Sequence, residues 1–268
     1  MNDIRPLLDR LWQDFATLNP RVRCIYDLLV DRGEQVVNDH IALRTFGDPK
    51  VGLSVMARPF LNAGFRKGGD YDFPEKKLTA QHFEHEDAHL PKVFISELRL
   101  DAFSPWLRET IRGLLSQVPD ALPRKDDFAV SGRPWKIDFA TYEKLAGESE
   151  YAGWVGAFGF RANHFTVLVN ALKTFKSLQE LNAFIKASGY ELNASGGEIK
   201  GDPAALLEQS STLADHVGVH FTDGPHVIPA CYYEFARRYP DRDGKLFSGF
   251  VAKSANKIFE STDRRGKS

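Results

Sequence analysis

Cysteine is scarce. Cys24 and Cys231 are the only two in 268 residues, too few and too far apart for a disulfide framework, so a reducing compartment, the cytoplasm, is expected. No stretch approaches the roughly 20 apolar residues needed to cross a bilayer. The N-terminus, Met1-Asn2-Asp3-Ile4-Arg5, lacks the basic-then-apolar order of a secretory leader. Neither sign of charge dominates: 35 Lys and Arg against 36 Asp and Glu leave a net charge of −1. Long blocks of one sign are also missing, which argues against nucleic acid or an anionic membrane as the partner. What is present is 43% apolar and 12% aromatic composition, enough for a substantial core in one large domain or two modest ones. The pattern selects no oligomeric state.

Along the chain, apolar positions at helical spacing, Leu7, Leu8, Leu11 and Phe15, then Val22, Ile25, Tyr26 and Leu29, predict a helical hairpin over 4–31, broken at Asn19-Pro20. A strand follows at His40, then a helix over 53–62 ending at Gly64. Strands are expected from Phe65 onward, over 79–84 and over 92–100. Residues 105–149 read as helical and less regular. The glycine-spaced aromatic stretch 151–160 reads as a loop or a close approach to a neighbour. The pattern then restarts: a strand at His164, a helix over 177–186 ending at Gly189, and strands over 190–193, 214–222 and 229–237. One domain, 1–268, is therefore expected, with a first βαβββ unit at 36–101, a helical linking segment at 102–160, a second unit at 161–240 and a C-terminal segment at 241–268.

The two units open on matching stretches, Asn38-Asp39-His40-Ile41-Ala42-Leu43-Arg44-Thr45-Phe46 and Ala162-Asn163-His164-Phe165-Thr166-Val167-Leu168-Val169-Asn170. Each places a histidine directly after Asp or Asn and begins an apolar, β-branched run, the mark of a strand. Alternation puts His40, Ala42, Arg44 and Phe46 on one face, a metal ligand beside a fixed cation. Two such units side by side resemble the vicinal oxygen chelate superfamily. The resemblance implies an α+β fold whose open curved sheet surrounds a metal cavity, with added N-terminal and linking helices. It also implies ligands from the first strand of each unit, His40 and His164, and from a last strand, Glu234 in Cys231-Tyr232-Tyr233-Glu234-Phe235.

Two neutral imidazoles and one carboxylate suit Fe(II) with adjacent positions open for a bidentate oxo acid and dioxygen. The same donors could hold zinc, which would mean hydrolysis. Arg44 could grip a carboxylate of the bound acid. Against this, a lone strand histidine is more often a satisfied, half-buried residue, and Glu234 could form a solvated ion pair with Arg237 or Arg238. A louder motif, His85-Glu86-Asp87-Ala88-His89, matches the zinc-protease H-E-x-x-H pattern. It needs a helix, which Pro91 disfavours at Leu90, so His82, His85 and His89 are expected at a strand end or site rim. His216, His220 and His226 are expected in the core or behind the site.

The His40 stretch, Leu90-Pro91-Lys92-Val93-Phe94-Ile95-Ser96-Glu97-Leu98, Ala162-Asn163-His164-Phe165-Thr166, the residues around Glu234, and Ser254-Ala255-Asn256-Lys257-Ile258-Phe259-Glu260-Ser261 together resemble the 2-oxoadipate dioxygenase/decarboxylase family, also called D-2-hydroxyglutarate synthase. That resemblance implies a metal triad of His40, His164 and Glu234, a substrate-binding and catalytic Arg44, and a carboxylate contact at Ser254. It implies an Fe(II) enzyme of lysine catabolism that turns 2-oxoadipate and O2 into D-2-hydroxyglutarate and CO2. Lys253, beside that serine, departs from the apolar residue expected there and would tolerate a further negative group. A non-catalytic oxo-acid binding protein is the alternative from a different class.

Overall fold

The computed structural model describes residues 3–251; Lys253, Ser254 and the motif that follows lie outside them. Helices α1 (Arg5–Leu18) and α2 (Pro20–Asp31) form the expected hairpin. Pro20 begins α2, where its missing N–H is no loss. Asn19 holds the corner: its side-chain amide donates to Phe15 O at 2.7 Å, and its side-chain oxygen accepts from Cys231 N at 3.1 Å.

The first unit comprises β1 (Asn38–Phe46), α3 (Leu53–Asn62), β2 (Arg66–Phe73), β3 (Leu78–Glu84) and β4 (Lys92–Leu98). Helices α4 (Pro105–Ser116), α5 (Phe139–Glu148) and α6 (Glu150–Phe158) follow. Then come β5 (Ala162–Leu168), α7 (Leu178–Ala187), β6 (Lys200–Asp202), β7 (Leu207–Ser211), β8 (His216–Phe221), β9 (Gly224–Pro229) and β10 (Tyr232–Arg238). Eight strands make one strongly curled, open sheet in the order β2-β3-β4-β1-β5-β10-β7-β6, while β8 and β9, among the described residues, pair only with each other. Outward from the central antiparallel β1–β5 pair, each unit presents its first strand, then its last strand in parallel, then two more. The fold is thus a duplicated, two-fold arrangement.

The two faces of this sheet are covered differently. On one, Trp12 and Phe15 of α1 pack on Phe165 at 5.2 and 5.1 Å between ring centroids. On that same face Glu97 accepts a hydrogen bond from Leu53 N at the start of α3, and Asn182 of α7 accepts from Ser210. The other, inner face carries His40, Ala42, Arg44, Phe94, Ser96, His164 and Glu234, and α6 lies against it, with Tyr151 Oη donating to Ser96 O at 2.6 Å.

Three expectations need correction. Residues 151–160 are not a loop but helix α6 and its end, with every residue from Tyr151 to Phe158 buried. The glycines do mark a close approach: a Cβ at Gly153 would lie 2.6 Å from Ala146 Cβ of α5. Residues 190–193 form no strand, only an isolated bridge between Leu192 and Thr212. The strands of the second unit are instead β6 and β7. Stretch 214–222 is a strand, but it belongs to the separate β8–β9 hairpin rather than to the main sheet.

Candidate metal centre

The central strand pair is what brings the histidines together. In the β1–β5 ladder His40 lies opposite Thr166, and His164 lies opposite Ala42. This reciprocal register makes the two histidines equivalent across the two-fold. The ladder slips by one residue on each strand, between Asn38 and His40 and between Ala42 and Leu43. The extra residues are Asp39 and Asn163, each directly before its histidine. A bulge re-aims a side chain, and here each bulged residue turns to its neighbour's ring: Asp39 Oδ1 lies 2.8 Å from His40 Nδ1, and Asn163 Oδ1 lies 3.0 Å from His164 Nδ1. With Nδ1–H donating to those oxygens, each Nε2 presents its lone pair inward.

Both Nε2 atoms face Glu234, His40 at 3.7 Å from Oε1 and His164 at 3.3 Å from Oε2. One donor atom from each of the three residues lies within 4.8 Å of the others, and all three residues are buried. Gln209 Nε2 donates to Glu234 Oε1 at 2.5 Å, whereas Oε2 has no hydrogen-bond partner among the described residues. Burial pushes the Glu234 carboxyl up to about 8, against the opposing hydrogen bond from Gln209. Burial likewise holds His40 below its ordinary range, and His164 well below it, with the charges of His40 and Arg44 adding to the effect on His164. A buried carboxyl group beside two imidazoles that burial holds toward their neutral form is a donor set that a bound cation would stabilise. The orphaned oxygen and the donor set therefore fit a divalent metal such as iron or zinc.

Arg44 sits on the same face of β1 as His40. It is 1% exposed, donates to Glu150 Oε1 at 2.9 Å, and its guanidinium lies over the rings of Tyr151 and Trp154 at 5.0 and 5.2 Å. It is fixed to α6 rather than swinging at a surface. Ser254 lies outside the described residues.

The bland alternative for Glu234 fails: Arg237 turns outward to Lys176 O, and Arg238 binds Asp39 through Nε at 2.6 Å and Nη2 at 2.8 Å. The H-E-x-x-H stretch is a turn rather than a helix, with Asp87 N donating to His85 Nδ1 at 2.9 Å. His82 lies buried near the end of β3, 2.7 Å from Tyr71 Oη, 2.6 Å from Glu84 Oε1 and 5.2 Å between ring centroids from Phe250. The expectation for the remaining histidines is corrected. His216 and His220 are exposed on β8, and His226 stacks on Phe139 at 3.7 Å, away from the triad.

Sequence reasoning missed Gln209, Thr166, Arg238 and Phe250. Thr166 Oγ1 lies 3.1 Å from His40 Nε2, and the Phe250 ring meets His40 edge-on at 4.8 Å. Thr166 could have been found, since it stands two residues beyond His164 on the same strand face. Arg238 and Phe250 reach the site through tertiary contacts that local pattern does not carry.

The family model for 2-oxoadipate dioxygenase/decarboxylase matches residues 13–121 and 128–245. A chloroplastic 2-oxoadipate dioxygenase/decarboxylase of Arabidopsis thaliana is 34% identical over 96% of this chain and 77% of its own length. Among solved structures, a Shewanella frigidimarina protein named provisionally as a hydrolase is 52% identical, covers 94% of this chain and 99% of that one, and superimposes with a TM-score of 0.90. Hydroxyglutarate synthase of Oryza sativa, solved in complex with 2-oxoadipate, is 31% identical, with a TM-score of 0.89 over 97% of this chain and 92% of that one. A match running from α1 into the segment after β10, through all three buried donors, places the chain in the 2-oxoadipate dioxygenase/decarboxylase family, and it is an enzyme of that type.

Proposed function

We propose that this chain is an Fe(II)-dependent enzyme that converts 2-oxoadipate and O2 into D-2-hydroxyglutarate and CO2, a step of lysine breakdown. The observation that carries the reading is the convergence of His40, His164 and Glu234 in a buried site with one carboxylate oxygen unpartnered among the described residues. The rice relative bound to 2-oxoadipate supports the substrate class. His40, His164 and Glu234 would hold the ion. Iron held by two imidazoles and a carboxylate would leave room for the oxo acid and dioxygen together and would mediate electron transfer from the acid, which is the net reductant, to dioxygen.

The rest of the work belongs to the chain. Asp39 and Asn163 fix the tautomer and tilt of the two rings, and Gln209 fixes the carboxylate. Arg44, preorganised by Glu150 and by the rings of α6, offers its planar fork to a carboxylate of the acid. Phe250 and the buried wall of α6 keep water from the site. Ser254 belongs to the proposal as a second carboxylate contact. The cytoplasmic reading rests on the two unpaired cysteines, one exposed and one buried; no helix among the described residues is long and apolar enough to cross a membrane.

The test is metal analysis of anaerobically purified protein, followed by oxygen uptake with 2-oxoadipate. Iron, with one CO2 released per O2 consumed, is expected. Zinc with no oxygen uptake would favour the hydrolase reading instead. His164→Ala should lose metal and turnover together, and turnover that survives would remove His164 from the centre. Arg44→Ala should keep metal and raise KM by about tenfold or more, the range for a lost charge-assisted hydrogen bond.

A further inference from the structure

Two neighbouring tyrosines on β10 share an anomaly. Tyr232 and Tyr233 are each 0% exposed, and neither hydroxyl has a hydrogen-bond partner among the described residues. A buried polar group left unpaired is destabilising, so each hydroxyl calls for an explanation. Strand alternation sends the two to opposite faces. Tyr233 lies with Phe165 beneath α1, its ring 6.1 Å from Trp12 and 6.4 Å from Phe15, in hydrocarbon surroundings. Tyr232 lies on the inner face, stacked on His164 with ring centroids 4.6 Å apart and planes 26° apart.

The surroundings of Tyr232 are those of a ligand contact. A phenol ordinarily titrates near pH 10, so at neutral pH this hydroxyl carries its proton and can donate. Arg44 stands on the same inner face, on the neighbouring side of His164, with its guanidinium held over Tyr151 and Trp154 of α6. A proton donor and a guanidinium on one side of a metal centre suit an oxygen-rich anion. Glu234 Oε2, also without a partner among the described residues, is accounted for by the metal; the Tyr232 hydroxyl is not.

We propose that Tyr232 Oη donates a hydrogen bond to an oxygen of the 2-oxo acid bound at the His40, His164 and Glu234 centre, and so sets substrate affinity without contributing to metal affinity. The inference rests on the reading of this site as that of a 2-oxo acid enzyme. Tyr233 is the internal control, because its hydroxyl is equally buried and equally unpartnered but faces α1.

Tyr232→Phe and Tyr233→Phe, each in the full chain, are to be compared with wild type by thermal melting without metal or substrate, by metal content, and by anaerobic calorimetry with 2-oxoadipate on the metal-loaded protein. Each substitution removes an orphaned hydroxyl and keeps the ring, so both should hold or raise the metal-free melting temperature. Tyr232→Phe should weaken 2-oxoadipate binding by about tenfold or more at unchanged metal content, while Tyr233→Phe should bind it as wild type does. Wild-type affinity in Tyr232→Phe would overturn the assignment, as would equal weakening in both variants. A drop in melting temperature confined to Tyr232→Phe would show a structural role and overturn it too. If wild type itself fails to bind 2-oxoadipate, the reading of the site falls and takes this inference with it.

Discussion

Asp39 shows how much one bulged residue carries. Its carboxylate accepts from the His40 ring on one side and takes two hydrogen bonds from Arg238 on the other, all buried. Burial alone would raise its pKa, but the Arg238 cation and the His40 hydrogen bond outweigh burial and hold it well below the usual carboxylate range. Arg238 also donates Nη1 to Phe247 O and Gly249 O, both at 2.8 Å, so one guanidinium ties the wall bearing Phe250 to the orientation of His40. Asn163, its two-fold mate, makes only a neutral hydrogen bond. Asp39→Asn should therefore weaken metal binding by roughly 10–100-fold and also destabilise the metal-free protein by about 3–5 kcal/mol, because it leaves a buried cation unpaired. Asn163→Ala should weaken metal binding while removing only about 1 kcal/mol of metal-free stability. Competition titrations with a chelator and urea melts of the metal-free forms measure the two quantities. Equal losses of stability would mean that Arg238 does not depend on Asp39. The Asp-His and Asn-His pairs were legible in the sequence because they repeat. The bulges were not, since a register slip exists only between two strands and leaves no mark on either alone.

Among the elements, α6 was read as loop because its buried residues run all the way round it, which erases the 3.6-residue period that signals a helix. Its glycines are spacers. At Gly153 an added Cβ would lie 2.7 Å from Ala146 Cα and 3.0 Å from Ala146 N, backbone atoms that cannot step aside. Gly153→Ala should push α6 from α5, destabilise the protein by roughly 1–3 kcal/mol, and raise KM for 2-oxoadipate, because α6 carries the partners of Arg44. An unchanged KM beside a lowered melting temperature would separate the helix from substrate binding. Strand β7, Leu-Glu-Gln-Ser-Ser, escaped notice for the opposite reason: it has no β-branched or aromatic residue, and its inner face is polar where Gln209 meets Glu234. A second tether lies after α2, where Glu34 accepts from Lys173 N at 2.6 Å, Thr174 N at 2.7 Å and Thr174 Oγ1 at 2.5 Å. Burial would raise the Glu34 pKa, but those hydrogen bonds bring it below its ordinary value. A depressed carboxylate stabilises fully above its unfolded pKa of about 4.3, and that contribution fades as pH falls through the folded value. Glu34→Gln should lower stability by about 1–3 kcal/mol at pH 7, with the gap from wild type narrowing below about pH 4. Urea titrations at the two pH values test this, and a gap that stays constant would exclude the carboxylate's charge as the cause.

At the scale of the whole molecule, the duplication is symmetric in backbone and asymmetric in chemistry. In the second unit Glu234 lies beside Thr166 in the parallel β5–β10 ladder, and in the first unit the equivalent partner, beside Ala42 in the β1–β4 ladder, is Phe94. The sheet could have offered a fourth protein ligand there and offers an aromatic ring instead, 5% exposed and packed on Phe250 at 4.9 Å. On the proposed function this difference has a reason, since a fourth protein donor would leave a metal held there too few open positions for the oxo acid and dioxygen. The sequence allowed the two histidines to be matched because identical residues repeat, but it hid Phe94, whose equivalence rests on strand register. Phe94→Glu should therefore behave as a gain of ligand. Without metal, the new buried carboxylate has no counter-charge and should lower the melting temperature. Added Fe(II) or Zn(II) should then raise it by more than it raises that of wild type, since the ion binds the folded state through an extra donor. Oxygen uptake with 2-oxoadipate should disappear while metal stays bound. A metal-induced shift no larger than that of wild type would show that position 94 does not face the ion, and would break the two-fold equivalence on which this reading of the sheet depends.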